Sequence, residues 1–207
     1  MNAITTEFHH VFIPGNRQPT LLLLHGTGGD ENSLLGLGKS LLPGAALLTP
    51  RGKVLENGMP RFFRRLAEGI FDEADLIRRT HELADFLTQA AAEYQFDPKQ
   101  LIAVGYSNGA NIAGSLLLLR PDVIGGAALL RPMVPLVPET LPNLAGKPVL
   151  ISAGNQDPIA APAEVRELRA LLSKAGAKVQ TEVEDAGHGL TELTVRTTQT
   201  WLHSLAN

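Results

Sequence analysis

Gly105-Tyr106-Ser107-Asn108-Gly109 lies between an apolar run, Leu101-Ile102-Ala103-Val104, and a helix-like run from Ala110 to Leu119. A serine flanked by glycines at i−2 and i+2, at the junction of a strand and a helix, is the pattern of a nucleophile elbow. The glycines relieve the crowding of a sharp turn that lifts the hydroxyl above the sheet edge. Five residues alone recur by chance, so the strand–turn–helix context carries the weight. Ser107 is the first candidate for chemistry, and a strand feeding directly into a helix is a unit of α/β architecture.

The same alternation extends along the chain. Strands are expected at His10–Ile13, Thr20–His25, Ala45–Thr49, Leu101–Gly105, Gly126–Leu130, Pro148–Ala153 and Val179–Val183. Helices are expected at Glu31–Leu42, Glu73–Tyr94, Asn108–Leu119, Pro162–Ala175 and Leu190–Leu205. Short apolar runs separated by helical patterns signify a mainly parallel sheet covered by helices. Pro162 suits the first turn of its helix and Gly176 a carboxyl-terminal cap. In the longest helix Leu76, Leu83, Phe86, Leu87 and Ala90 form one stripe that should face the sheet. Leu21–Leu24 and Leu116–Leu119 read as buried strand and buried helix. Arg51–Asp72, with Gly52, Gly58 and Pro60, reads as a long ordered loop that either builds a site or makes a surface excursion.

Composition narrows the function classes. At 207 residues, 44% hydrophobic and 19% charged, the chain has the length and balance of one globular domain. A net charge of −3, with basic residues scattered except at Arg61, Arg64 and Arg65, argues against nucleic acid as a partner. The absence of cysteine excludes disulfides, thiolate nucleophiles and Cys-ligated metals. Met1–His10 shows no targeting pattern and no apolar stretch is long enough to span a membrane, so a cytoplasmic location without membrane partners is expected.

A serine hydroxyl is a weak nucleophile and needs a base within hydrogen-bond reach, itself oriented by a third group. Asp157 follows the strand that ends near Ala153, and His188 stands on a glycine-flanked loop, Gly187-His188-Gly189, after Val179–Val183. Ser107, Asp157 and His188 should therefore share one rim of the sheet. Asp157 has a second reading as a turn-forming or capping residue, and Asp185, three residues before His188, is the rival acid. The loop His25-Gly26-Thr27-Gly28-Gly29 follows the Leu21–Leu24 strand. Backbone N–H groups of Thr27 and Asn108 are the candidate oxyanion donors. A phosphate loop fits less well, because Glu31 occupies the third glycine position of G-x-G-x-x-G.

With these residues in place the chain resembles the α/β-hydrolase superfamily, and within it the phospholipase/carboxylesterase group that includes acyl-protein thioesterases. Pro50-Arg51-Gly52, Asn57-Gly58-Met59-Pro60-Arg61-Phe62-Phe63-Arg64-Arg65 and Gly105–Asn111 are similar to MhqD-type bacterial esterases, some of which are associated with responses to hydroquinone or aromatic compounds. The resemblance implies a sheet of about seven strands flanked by helices, residues 1–207 forming a single domain without a separate lid. It implies Ser107 as nucleophile, His188 as base and Asp157 as its orienter, with no cofactor and no metal. The expected activity is hydrolysis of small carboxylic esters, aryl esters among them, through an acyl-enzyme. A thioesterase or lysophospholipase, or a non-catalytic ligand sensor on the same fold, stays open, as does a homodimer. Asn108 stands where acyl-protein thioesterases often carry Gln, which bears on long-chain protein substrates and not on the chemistry. Between Gly58 and Arg65, Phe62 or Phe63 is expected to wall the substrate pocket, and one of Arg61, Arg64 and Arg65 to meet a polar or anionic substrate group. The alternative is core phenylalanines and solvated arginines.

Overall fold

A computed structural model describes residues 8–205; Met1–Glu7, within the stretch read for a targeting signal, lies outside the described residues, as do Ala206 and Asn207. Seven strands form the central sheet: β1 (His10–Ile13), β2 (Arg17–Leu24), β3 (Ala45–Pro50), β8 (Leu101–Tyr106), β9 (Gly126–Leu130), β10 (Pro148–Gly154) and β11 (Lys178–Glu184). Their order is β1-β3-β2-β8-β9-β10-β11, parallel throughout except for β1, which runs antiparallel to β3 at one edge. The expected mainly parallel sheet of about seven strands is present.

The leucine run of β2 shows why the sheet is covered on both sides. Successive strand side chains point to opposite faces. Leu22 and Leu24 accordingly pack with α2 (Glu73–Tyr94), α3 (Asn108–Leu119) and α4 (Pro162–Lys174), whereas Leu21 and Leu23 pack with α1 (Leu35–Leu41) and α5 (Glu192–Leu205). The α2 stripe of Leu76, Leu83, Phe86, Leu87 and Ala90 is wholly buried. Pro162 opens α4, and Gly176, just past its cap, has φ +99°. Among the described residues no helix is long and apolar enough to cross a membrane.

Two expectations need correction. Helix α1 begins at Leu35 and not at Glu31, because Asp30 and Ser33 bind each other's backbone and side chain: Asn32 N–H donates to Asp30 Oδ1 at 2.9 Å, and Asp30 N–H to Ser33 Oγ at 2.8 Å. Such local side-chain bonds compete with helix formation. Arg51–Asp72 is not a plain loop but holds two antiparallel hairpins, β4 (Val54–Glu56) with β5 (Met59–Arg61), and β6 (Arg65–Ala67) with β7 (Ile70–Phe71). Asn57 and Gly58, both at positive φ, make the first turn, as a two-residue hairpin demands.

Candidate active site

Strand β8 delivers Ser107 at its carboxyl end. Ser107 N–H still bonds the sheet, donating to Leu130 O at 2.9 Å, and the backbone then turns at φ 53°, ψ −115° into α3. That turn requires both flanking glycines: a Cβ on Gly105 would overlap the Gly109 carbonyl, and one on Gly109 would overlap the Leu24 carbonyl of the neighbouring strand. The elbow is a close approach of three backbones at the sheet rim.

Asp157 follows β10 and His188 follows β11, so both reach the rim on which Ser107 stands. Ser107 Oγ lies 2.8 Å from His188 Nε2, and His188 Nδ1 lies 2.8 Å from Asp157 Oδ2. The carboxylate can only accept, which puts the imidazole proton on Nδ1 and leaves Nε2 to accept from the serine hydroxyl. Asp157 also caps its own turn, Oδ1 accepting from Ile159 N–H at 2.8 Å and Ala160 N–H at 3.0 Å. Its two readings thus coexist in one side chain. Burial opposes ionisation of Asp157, but those amides and His188 outweigh it and hold the carboxyl below the usual aspartate range. Asp185 faces elsewhere, accepting from Gln156 Nε2 at 2.6 Å on the surface.

A cavity of about 230 Å³ opens onto Ser107 and His188, lined also by Thr27, Asn108, Asn111 and Tyr106, by Arg61 and Arg65, and by Phe71, Met133 and Ile159. Among the described residues the backbone N–H groups of Thr27 and Asn108 have no acceptor. The first hairpin secures both. Gly28 N–H donates to Pro60 O at 2.9 Å, Arg61 Nη1 to Thr27 Oγ1 at 2.6 Å, and Phe62 N–H to Asn108 Oδ1 at 2.7 Å. His25 adds a brace, Nε2 accepting from Gly52 N–H at 3.0 Å and Nδ1 meeting Gly26 O at 2.7 Å, and burial favours its neutral form. The amide at position 108 therefore serves to pin the hairpin.

Among the residues expected to meet substrate, the cavity takes Arg61 and Arg65 and omits three. Phe62 is 2% exposed and packs against the His25 ring at 4.7 Å, and Phe63 is fully buried edge-on to Phe71. Both belong to the core, and Phe71, from the second hairpin, is the aromatic that reaches the cavity. Arg64 points outward to pair with Asp72 at 2.9 Å. Arg61 is itself buried, while Arg65 forms a two-point pair with Glu56 at 2.7 and 2.9 Å. Glu56 is held below the usual glutamate range chiefly by that pairing. Among the described residues no group of three or more His, Asp and Glu side chains gathers as a metal site.

The sequence reading missed Arg131 and Glu184. Arg131 is fully buried beneath the His188 loop and pairs with Glu184 at 2.6 Å. A signal existed in Leu129-Leu130-Arg131-Pro132: a charged residue directly after an apolar strand, on the rim where the other candidates stand.

This sheet, with a strained serine after a central strand and a serine–histidine–aspartate hydrogen-bond series along its carboxyl rim, defines an enzyme of the α/β-hydrolase class. A model of the dienelactone hydrolase family matches residues 63–198, and the chain belongs to that family. It is 51% identical to the hydrolase MhqD of Bacillus subtilis (strain 168), over 93% of this chain and 96% of that protein. The crystal structure of the Bacillus cereus carboxylesterase superposes with a TM-score of 0.93 at 53% identity, covering 98% of this chain and 95% of the other. The structure of YahD with malic acid superposes with a TM-score of 0.91 at 30% identity, covering 95% and 98%. The chain is an α/β-hydrolase-type esterase.

Proposed function

We propose that the chain is a serine carboxylesterase that cleaves small carboxylic esters by way of an acyl-enzyme. The observation that carries this reading is the unbroken series from Ser107 Oγ through His188 to Asp157, two contacts of 2.8 Å each, at the floor of a cavity. Ser107 Oγ attacks the ester carbonyl carbon while its proton passes to His188 Nε2. The carbonyl oxygen becomes an oxyanion that the Thr27 and Asn108 amides receive. The tetrahedral centre collapses with loss of the alcohol, which takes the proton from His188. Water, deprotonated by His188, then attacks the acyl carbon, and the acid leaves as Ser107 regains its proton.

Substrate size and character follow from the lining. About 230 Å³ is below the usual range for drug-sized ligands, so a small molecule is the expected partner. Phe71, Met133 and Ile159 offer an apolar wall suited to an aryl or short alkyl group. Opposite chemistry comes from Arg61 and Arg65, two guanidinium groups facing one carboxylate, Glu56. That local excess of positive charge favours an ester with a polar or anionic substituent, for which Arg65, the more exposed of the two, is the assigned contact. YahD, solved with malic acid, supports the same direction, since malic acid carries carboxyl groups.

The test is covalent. A fluorophosphonate should label Ser107 stoichiometrically, and Ser107→Ala should remain folded while losing on the order of a million-fold in p-nitrophenyl ester turnover. A folded Ser107→Ala variant that keeps a tenth of the activity would overturn the assignment.

A further inference from the structure

The loop that carries His188 has little of its own to hold it still, a bond from Ala186 N–H to Glu184 O at 2.9 Å lying before the histidine. Gly187 and Gly189 flank the histidine, neither stands at positive φ, and a Cβ on Gly189 would meet open space. The turn therefore does not require these glycines, and their freedom would let the imidazole wander. Three donors from other elements oppose that freedom by binding three successive carbonyls. Arg131 Nε donates to Gly187 O at 3.1 Å, Tyr106 Oη to His188 O at 3.2 Å, and Arg131 Nη2 to Gly189 O at 3.0 Å.

We propose that Arg131, held by Glu184, is a positioning residue: its guanidinium clamps the carbonyls on either side of His188 and so sets the distance from the imidazole to Ser107. Arg131 touches neither the serine nor the cavity; it acts through the loop. Its backbone at φ 58° is a second sign of a specified role, since a non-glycine residue enters the left-handed region at a cost and here gains the aim of its side chain. The guanidinium has further partners, Nη1 donating to Ser152 Oγ at 3.1 Å and the second Nη2 hydrogen shared between Glu184 Oε1 and Thr194 Oγ1. Glu184 is fixed in turn by the Thr191 and Thr194 hydroxyls, both from the segment following the His188 loop. The fork geometry of arginine matters because the two carbonyls are met by two nitrogens at a fixed separation, Nε and Nη2, where an ammonium offers one.

The proposal rests on Ser107 and His188 acting as described above, and its test separates the two ideas. Removing Arg131 alone would leave Glu184 as a buried unpaired charge, so the informative variant is Arg131→Met with Glu184→Gln, in which the Gln oxygen can accept from one threonine hydroxyl and its NH₂ can donate to the other. Displacing a catalytic group by about 1 Å costs on the order of 100-fold, so kcat should fall by about that factor with KM within about threefold of wild type. Phosphonylation of Ser107 by a fluorophosphonate, which reads the His188–Ser107 contact without the substrate pocket, should slow in parallel. Arg131→Lys keeps the charge opposite Glu184 and should lose about tenfold in kcat, again at unchanged KM. Either variant, folded and with kcat and phosphonylation at wild-type rates, would overturn the positioning role, as would failure of both to fold, which would make the pair a support of the fold alone. Wild-type protein whose Ser107 resists the phosphonate would instead overturn the serine mechanism.

Discussion

Replacing Asp157 by Asn tests the orienting role most sharply, because the surroundings dictate how the new amide must lie. Asp157 Oδ1 accepts from two backbone amides, Ile159 and Ala160. An Asn side chain keeps those bonds only if its oxygen takes that place, which turns its NH₂ toward His188 Nδ1, 2.8 Å from the present Oδ2. The imidazole then adopts the tautomer with Nδ1 bare and the proton on Nε2, where it faces the serine as a donor and cannot act as base. Returning to the active tautomer sets two donors against each other, at about 1–3 kcal/mol for each donor left without a partner. Loss of the carboxylate's bond to the imidazolium adds about 1.5–3 kcal/mol. The middle of the summed range, about 6 kcal/mol, corresponds to between about 10⁴- and 10⁵-fold in rate. Initial rates on p-nitrophenyl acetate, with folding checked by circular dichroism, should show this loss in kcat/KM. Asp185→Asn, whose carboxylate meets only Gln156, should stay within about twofold. Retention of a tenth of the activity by the Asp157→Asn variant, or the larger loss at position 185, would refute the reasoning.

Acidification should destabilise the fold in a defined window. Asp157 and Glu184 are both held below their ordinary values of 3.8 and 4.5, so their contribution is complete above those values and is lost as pH falls through the depressed native ones; Tm should drop below about pH 4.5, and less steeply in Glu184→Gln. Phe62→Ala should cost about 3–5 kcal/mol in a denaturant titration, as for a core phenylalanine, whereas Phe71→Ala should chiefly change the ratio of kcat/KM between aryl and short alkyl esters; the opposite pattern would return Phe62 to the pocket. Arg65→Gln should weaken an ester bearing a carboxylate more than its neutral analogue, and equal losses on both would leave Arg65 as a partner of Glu56 alone. Ser107→Gly should be more stable than Ser107→Ala by about 1 kcal/mol, because only glycine occupies φ 53° without strain; equal urea midpoints would mean that the elbow stores none.

Most of the sheet was legible because its signals are local. Leu21–Leu24 and Leu101–Val104 declare themselves as strands by length and bounding residues, and α2 by its spacing of three, four and seven. The positions of Ser107, Asp157 and His188 were legible for a different reason: each follows a strand of a parallel sheet, and topology alone brings such positions to one rim. What escaped has a brief local signature or is decided by contacts distant in sequence. Strands of two or three residues, as in β4 to β7, are too short to show a period of two, although Asn57-Gly58 is a strong hairpin dipeptide that the reading passed over. Phe62 and Phe63 looked like pocket residues because they stand beside arginines. Burial of Phe62 against His25 is decided by a contact across 37 positions of sequence, which no pattern in the segment records. Arg131 is the extreme case, all of its loop and carboxylate partners lying more than fifty residues away.

Backbone strain sorts the same residues by another route. Among the described residues, non-glycine positions at positive φ are Asn57, Gln95, Ser107 and Arg131. Asn57 sits in a hairpin turn and Gln95 ends α2 in the left-handed conformation, where such values are ordinary. Ser107 and Arg131 have no such excuse, and they directly follow β8 and β9, two strands paired side by side. Each makes one further hydrogen bond to the next strand, Ser107 N–H to Leu130 O and Arg131 N–H to Ser152 O, before leaving the sheet. The two departures are the same device used twice: the sheet grips the amide, the backbone turns against its preference, and the side chain is thrown to a point that an extended strand would miss. In one case that point is beside His188 Nε2, and in the other it is beneath the carbonyls on either side of His188. Strain of this kind persists only where the surrounding structure over-determines it. Here both strained residues converge on one imidazole, so the local rules of the chain are broken at the place of the proposed proton transfer.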